Sequence, residues 1–127
     1  MKRLLIYTGI LFVMVLGLSG CYRDVIYPVA AVDPDGPPQP VSFKTDLAPI
    51  FNAKCAVAGC HVSGSHKPFL ATDISFQQIT AGGFTNTVIP KESILYKMIN
   101  GEMRTYIPSA VDRQMVYDWI RNGTPNN

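Results

Sequence analysis

Cys55-Ala56-Val57-Ala58-Gly59-Cys60-His61 puts two thiols and an imidazole into one short segment, and the fate of those sulfurs governs what the surrounding chain folds around. Three chemistries fit a C-x4-C-H segment. The sulfurs can join in a Cys55–Cys60 disulfide with His61 at the surface, which an oxidising compartment favours. They can bind zinc together with His61 and His66, although consecutive ligands at 60 and 61 sit awkwardly on a tetrahedron and zinc modules space their ligand pairs further apart. Or they can add across the vinyl groups of a haem, with the adjacent imidazole on the iron, as in the C-x-x-C-H attachment signature. In that case the His must follow the second Cys directly, because the thioether already sets where the backbone passes the porphyrin edge. The two residues beyond the usual spacing then bulge outward, and the small side chains of Ala56, Ala58 and Gly59 suit a bulge.

Upstream of the motif, Phe43, Leu47, Ile50 and Phe51 recur at i, i+4, i+7 and i+8, one helical face leading into Cys55. With Thr45 or Asp46 as N-cap, Pro49 falls in or just beyond the first turn, where its missing N–H costs little. Downstream, residues 61–72 contain Gly64, Pro68 and small polar side chains and read as loop. Asp73 is placed to cap a short helix over 74–80 that stops at Gly82-Gly83. The segment 92–100 sets Ile94, Leu95, Met98 and Ile99 on one face before Asn100-Gly101 closes it.

The last helix carries the fullest set of markers. Ser109 is the expected N-cap with Asp112 three residues on, and Val111, Met115, Val116, Trp119 and Ile120 form the apolar face. Arg121 meets the negative end, and Gly123 stops the helix. Met98 and Met115, at helical spacing on apolar faces, read as core. Strand signals are scarce, so the fold class is mostly α, with three to four helices and long loops.

Working back to the N-terminus, Met1-Lys2-Arg3 precedes an apolar run from Leu4 to Leu18, the layout of a signal peptide. The run falls short of the roughly 20 apolar residues that a confident membrane span requires. The next residues, Leu18-Ser19-Gly20-Cys21, resemble the lipobox of bacterial lipoproteins, which implies cleavage after residue 20, acylation of Cys21 and a membrane anchor outside the cytoplasm. Removing Lys2 and Arg3 leaves nine basic against nine acidic residues, a neutral balance that argues against a nucleic-acid partner. Residues 21–42 include Pro28, Pro34, Pro37, Pro38 and Pro40, a composition expected for a semi-stiff tether. The expected organisation is therefore signal peptide 1–20, lipid-anchored tether 21–42 and one folded domain 43–127.

Several segments in order, "TDLAPIFNAKC" (45–55), "GCH" (59–61), "VIPKESILYKMI" (88–99) and "WIRNGTPNN" (119–127), are similar to monohaem cytochrome c domains of the planctomycete type. Phe51 on an opening helix and Trp119 on a closing one resemble the crossing terminal helices of class I cytochrome c. The resemblance spans residues 43–127 and implies a class I cytochrome c-like fold wrapped around one covalent haem c. It further implies attachment through Cys55 and Cys60, His61 as proximal iron ligand, and a methionine ligand from the loop between the last two helices. Met103 is the residue so placed, with an open iron or His66 ligation as the remaining options. Pro68 resembles the proline whose carbonyl accepts the proximal His N–H. Tyr96, Tyr106 and Trp119 can line the haem or pack in the core.

The function so implied is electron transfer to and from transient redox partner proteins at a membrane surface, without enzymatic turnover. The alternatives are a haem peroxidase, should the sixth position be open, and a haem-free lipoprotein stapled by a disulfide.

Overall fold

The computed structural model describes residues 33–127; the expected signal peptide, Cys21 and the first part of the tether lie outside the described residues. Among the described residues the chain is mostly helical and contains no strand. The first turn, Phe43–Leu47, is wide (π-type) and runs into α1, Ala48–Lys54. Helix α2 follows at Ser75–Ala81, a 3₁₀ turn at Pro90–Glu92, then α3 at Ile94–Asn100 and α4 at Ala110–Arg121.

The opening turn is capped three to four residues ahead of the expected position, by Ser42 rather than Thr45 or Asp46. Ser42 Oγ accepts from the Thr45 N–H (3.3 Å) while Asp46 Oδ2 accepts from the Ser42 N–H (2.8 Å). The two expected caps are thus the partners of the real one. An N–H at position 49 would have bonded the Thr45 carbonyl, and Pro49 has none; the wider turn ends just ahead of it. Asn127 closes the ring, its carbonyl accepting from the Lys44 N–H (3.0 Å) and its side-chain oxygen from the Phe43 N–H (3.0 Å).

Helix α3 begins two residues later than expected because Ser93 is extended. Its buried hydroxyl accepts the Asn86 N–H at 2.8 Å instead of continuing a helical turn. Helix α4 follows its sequence markers except at Val111, which is exposed rather than on the packed face. Ser109 Oγ accepts from the Asp112 N–H (3.1 Å), and Gly123, at φ 85°, ends it in a Schellman arrangement with Thr124 N–H on the Trp119 carbonyl (3.0 Å).

The core lies where the first turn, α1 and α4 meet. Trp119 is fully buried, its ring 5.1 Å from that of Phe43, which also packs edge-on against Phe76 at 5.1 Å. The indole N–H donates to the Pro125 carbonyl at 2.9 Å, so the one polar atom of the ring is satisfied. Leu47, Phe51, Val116 and Ile120 complete this packing.

The described residues 33–127 belong to one compact unit, so the packed part begins ahead of position 43. Residues 33–42 lie along α4 instead of standing free. The Gln39 N–H donates to Asp118 Oδ2 (3.2 Å), Asn122 Nδ2 donates to the Gln39 carbonyl (2.8 Å), and the Arg121 guanidinium donates to the carbonyls of Pro34 and Gly36 (3.2 and 2.7 Å). Proline keeps this strap extended, and polar side chains from the last turns of α4 collect the backbone groups that no helix satisfies.

Truncating the central indole removes its packing and one hydrogen bond together. Trp119→Ala is expected to lower stability by about 3–5 kcal/mol, read as a shift of the urea unfolding midpoint; an unchanged midpoint would contradict this description of the core.

Candidate functional site

Cys55 stands at the end of α1, its N–H still bonded to the Phe51 carbonyl at 2.9 Å. The chain then loops back on itself. The Cys60 N–H reaches the Val57 carbonyl at 2.9 Å, and the His61 N–H reaches the Cys55 carbonyl at 3.0 Å. Val57, Ala58 and Gly59 face solvent, so the extra residues of the motif bulge outward. Gly59 makes the return at φ 80°, where a side chain would strain the backbone even though the space beside it is open.

Cys55 and Cys60 are free thiols and do not lie close to one another. Burial pushes the Cys55 thiol up to about 11, with the charge of Cys60 adding to the effect and that of Lys54 opposing it. Cys55 therefore stays protonated at neutral pH. It is neither a ready nucleophile nor a ready zinc ligand.

His61 is held through its ring. Nδ1 lies 3.0 Å from the Pro68 carbonyl and 3.2 Å from the His66 carbonyl. A carbonyl can only accept, so Nδ1 is the nitrogen that donates and Nε2 is the one turned away from these partners. The loop that presents these carbonyls is tied back to the motif by the His66 N–H on the Cys60 carbonyl (3.0 Å) and the Leu70 N–H on the His61 carbonyl (2.8 Å). His66 is exposed, and its backbone sits on the Nδ1 side of the His61 ring.

His61, Cys55 and Cys60 line one wall of a cavity of about 380 Å³, joined by Phe51, Pro68 and Leu70. The facing wall comes from α3 and the loop after it: Leu95, Met98, Ile99, Met103 and, at the rim, Ile94 and Tyr106. The lining is overwhelmingly carbon and sulfur, and the volume falls within the roughly 300–1,000 Å³ typical of small-molecule sites. The charged side chains at the rim are Lys54, paired with Asp112 at 3.2 Å, and Lys67.

The structure thus brings Cys55, Cys60, His61, His66, Pro68 and Met103 to one cavity. Met98, expected in the core, lines it too: α3 turns its Leu95–Met98–Ile99 edge toward the cavity, and burial against a cavity wall and burial in a core leave the same periodic pattern. Met115 packs against the core. Of the three candidate aromatics, only Tyr106 lines the cavity; Tyr96 stacks on Tyr117 with ring centres 4.6 Å apart, and Trp119 belongs to the core.

Among the described residues, no three His, Cys, Asp or Glu side chains converge where a bare metal ion could sit. The four-ligand zinc arrangement of Cys55, Cys60, His61 and His66 is therefore not assembled: the loop carbonyls hold the His61 ring by Nδ1, and His66, although it borders the same cavity, is exposed. Compared with known proteins, the chain matches no family model, no curated protein and no solved structure.

Proposed function

We propose that this protein carries single electrons on one c-type haem, attached through Cys55 and Cys60, with His61 and Met103 as axial ligands to the iron. The observation that carries the reading is the His61 ring: Nδ1 on the Pro68 carbonyl at 3.0 Å, which leaves Nε2 as the nitrogen available to a metal, and both thiols on the wall of the same apolar cavity. The two vinyl groups of a porphyrin occupy separate positions on its edge, so sulfurs that stand apart suit thioether attachment better than a disulfide. A macrocycle also brings its iron already held by four nitrogens and asks the chain for axial ligands alone, which suits a site with one anchored imidazole and no cluster of further donors.

Each part of the site then has a task. The Pro68 carbonyl fixes the tautomer and orientation of His61 and raises its basicity toward the metal. A haem held by the Met103 thioether as well as His61 would have a higher reduction potential than one held by two imidazoles. A haem held by both His61 and Met103 would have no position left for a substrate or an oxygen species, so the chemistry it would supply is electron exchange. Phe51, Leu70, Leu95 and Ile99 exclude water, while Ile94 and Tyr106, each about half exposed, form the edge at which a redox partner approaches through a small, transient interface. At the membrane this role calls for the lipid anchor at Cys21.

Protein matured in cells that ligate haem is expected to be red and to gain the mass of one haem; Cys55→Ala and Cys60→Ala are each expected to lose most of it. A colourless wild-type chain with the mass of the bare polypeptide would refute the reading. Met103→Ala is expected to abolish the methionine-to-iron absorption at the red edge of the ferric spectrum and to let carbon monoxide bind the ferrous form. Persistence of that band would assign the sixth position to another residue.

A further inference from the structure

Arg113 lies on the buried side of α4, three residues before Val116 and seven before Ile120, and is only 7% exposed. Among the described residues no carboxylate pairs with it. A buried cation without a counter-charge is costly, and an apolar residue would serve this position better if packing were all it did. Its hydrogen bonds show what the charge is spent on. Nη1 donates to the carbonyls of Ile107 (2.6 Å) and Pro108 (2.7 Å), and Nε donates to Asn100 Oδ1 (3.2 Å). Asn100 is the last residue of α3, and Ile107-Pro108 end the loop just before the Ser109 cap. One side chain therefore clasps both ends of the segment 101–109.

Inside that clasp the loop is a run of tight turns. The Met103 N–H bonds the Met98 carbonyl (2.9 Å), the Arg104 N–H the Gly101 carbonyl (3.1 Å) and the Tyr106 N–H the Met103 carbonyl (3.1 Å). Ile107, fully buried, plugs the loop's far end into the core. The turns fix Met103 relative to the loop, and the clasp fixes the loop relative to α3 and α4, which bound the cavity that Met103 lines.

We propose that Arg113 is a positioning residue that holds the 101–109 loop closed and so keeps the Met103 thioether on the iron. The proposal rests on the electron-carrier reading above. Thioether is a neutral, weak iron ligand that bonds only where the chain delivers it, so its occupancy reports how firmly the loop is held. The two axial ligands are then set by matching devices: backbone carbonyls anchor His61 directly, and backbone carbonyls anchor the loop of Met103 through Arg113.

The test uses the full chain matured with haem, comparing wild type with Arg113→Gln, Arg113→Lys and Asn100→Ala. Intact mass reports haem, far-ultraviolet circular dichroism reports helix, and the ferric red-edge band and ferrous carbon monoxide binding report the sixth ligand. Arg113→Gln is expected to keep haem and helix while losing most of the band and binding carbon monoxide at least about 10-fold more tightly, the scale of effect typical when support for a metal ligand is removed. Arg113→Lys, which can still donate to a carbonyl, is expected to recover part of the band. A folded, haem-bearing Arg113→Gln with the wild-type band and no gain in carbon monoxide binding would overturn the role of Arg113. If Arg113→Gln does not fold, Asn100→Ala decides, since it leaves the Arg113 bonds to Ile107 and Pro108 in place while removing the Nε contact, together with the Asn100 Nδ2 bond to the Tyr96 carbonyl: a weakened band supports the clasp and an unchanged band overturns it. A wild-type chain without haem overturns the electron-carrier reading and this role with it, and is told apart because every variant is then colourless.

Discussion

The contact on which the site depends is the 3.0 Å approach of the Pro68 carbonyl to His61 Nδ1. It is a modest hydrogen bond by energy, but it decides which ring nitrogen holds the proton and thus which can meet a metal. For the contact to form, the loop from His61 to Leu70 has to fold back over the motif, and it does so through backbone bonds at both ends. That loop and the end of α1 then make one wall of the cavity, and α3 with its following loop makes the other. Without the Pro68 contact the ring keeps only the longer approach to the His66 carbonyl (3.2 Å), and its orientation toward the cavity is more weakly held.

A second constraint is how little of the chain is regular. Helices α1, α2 and α3 are each seven residues long, too short to persist alone in water. They are held by tertiary contacts: Asn127 on the first turn, Ser93 on Asn86, the strap 33–42 on the end of α4, and the aromatic cluster around Trp119. Side-chain hydrogen bonds to backbone carbonyls recur throughout, from Trp119, Arg113, Arg121 and Asn122. This is the expected bookkeeping for a loop-rich chain, in which many backbone groups have no helical partner.

How far the sequence was legible depended on whether a feature is local. Helix α4 could be read closely because its cap, apolar face and stop all lie within fifteen residues and agree with one another. Likewise, the motif announced its own bulge, since small residues and Gly59 are visible in the segment itself. The Ser42 cap was missed because Thr45 and Asp46 are good caps in their own right and only the fold shows them serving Ser42. The docking of residues 33–42 was hidden for a different reason: its partners, Asp118, Arg121 and Asn122, lie about eighty residues away. Met98 illustrates the limit of periodicity, which marks burial without saying against what. Arg113 carried the reverse signal, a charge interrupting an apolar face, and that kind of interruption is where a sequence most often marks a task other than packing.

The claim on which the electron-carrier account stands is that the Cys55 and Cys60 sulfurs are bonded to porphyrin. The most direct measurement is the pyridine haemochrome spectrum of protein purified from cells able to ligate haem, because its band position reports how many vinyl groups have been converted to thioethers. The account predicts the position of a haem with both vinyl groups saturated. A spectrum with both vinyl groups intact, or no haem spectrum alongside a Cys55–Cys60 disulfide in the peptide map, would contradict it.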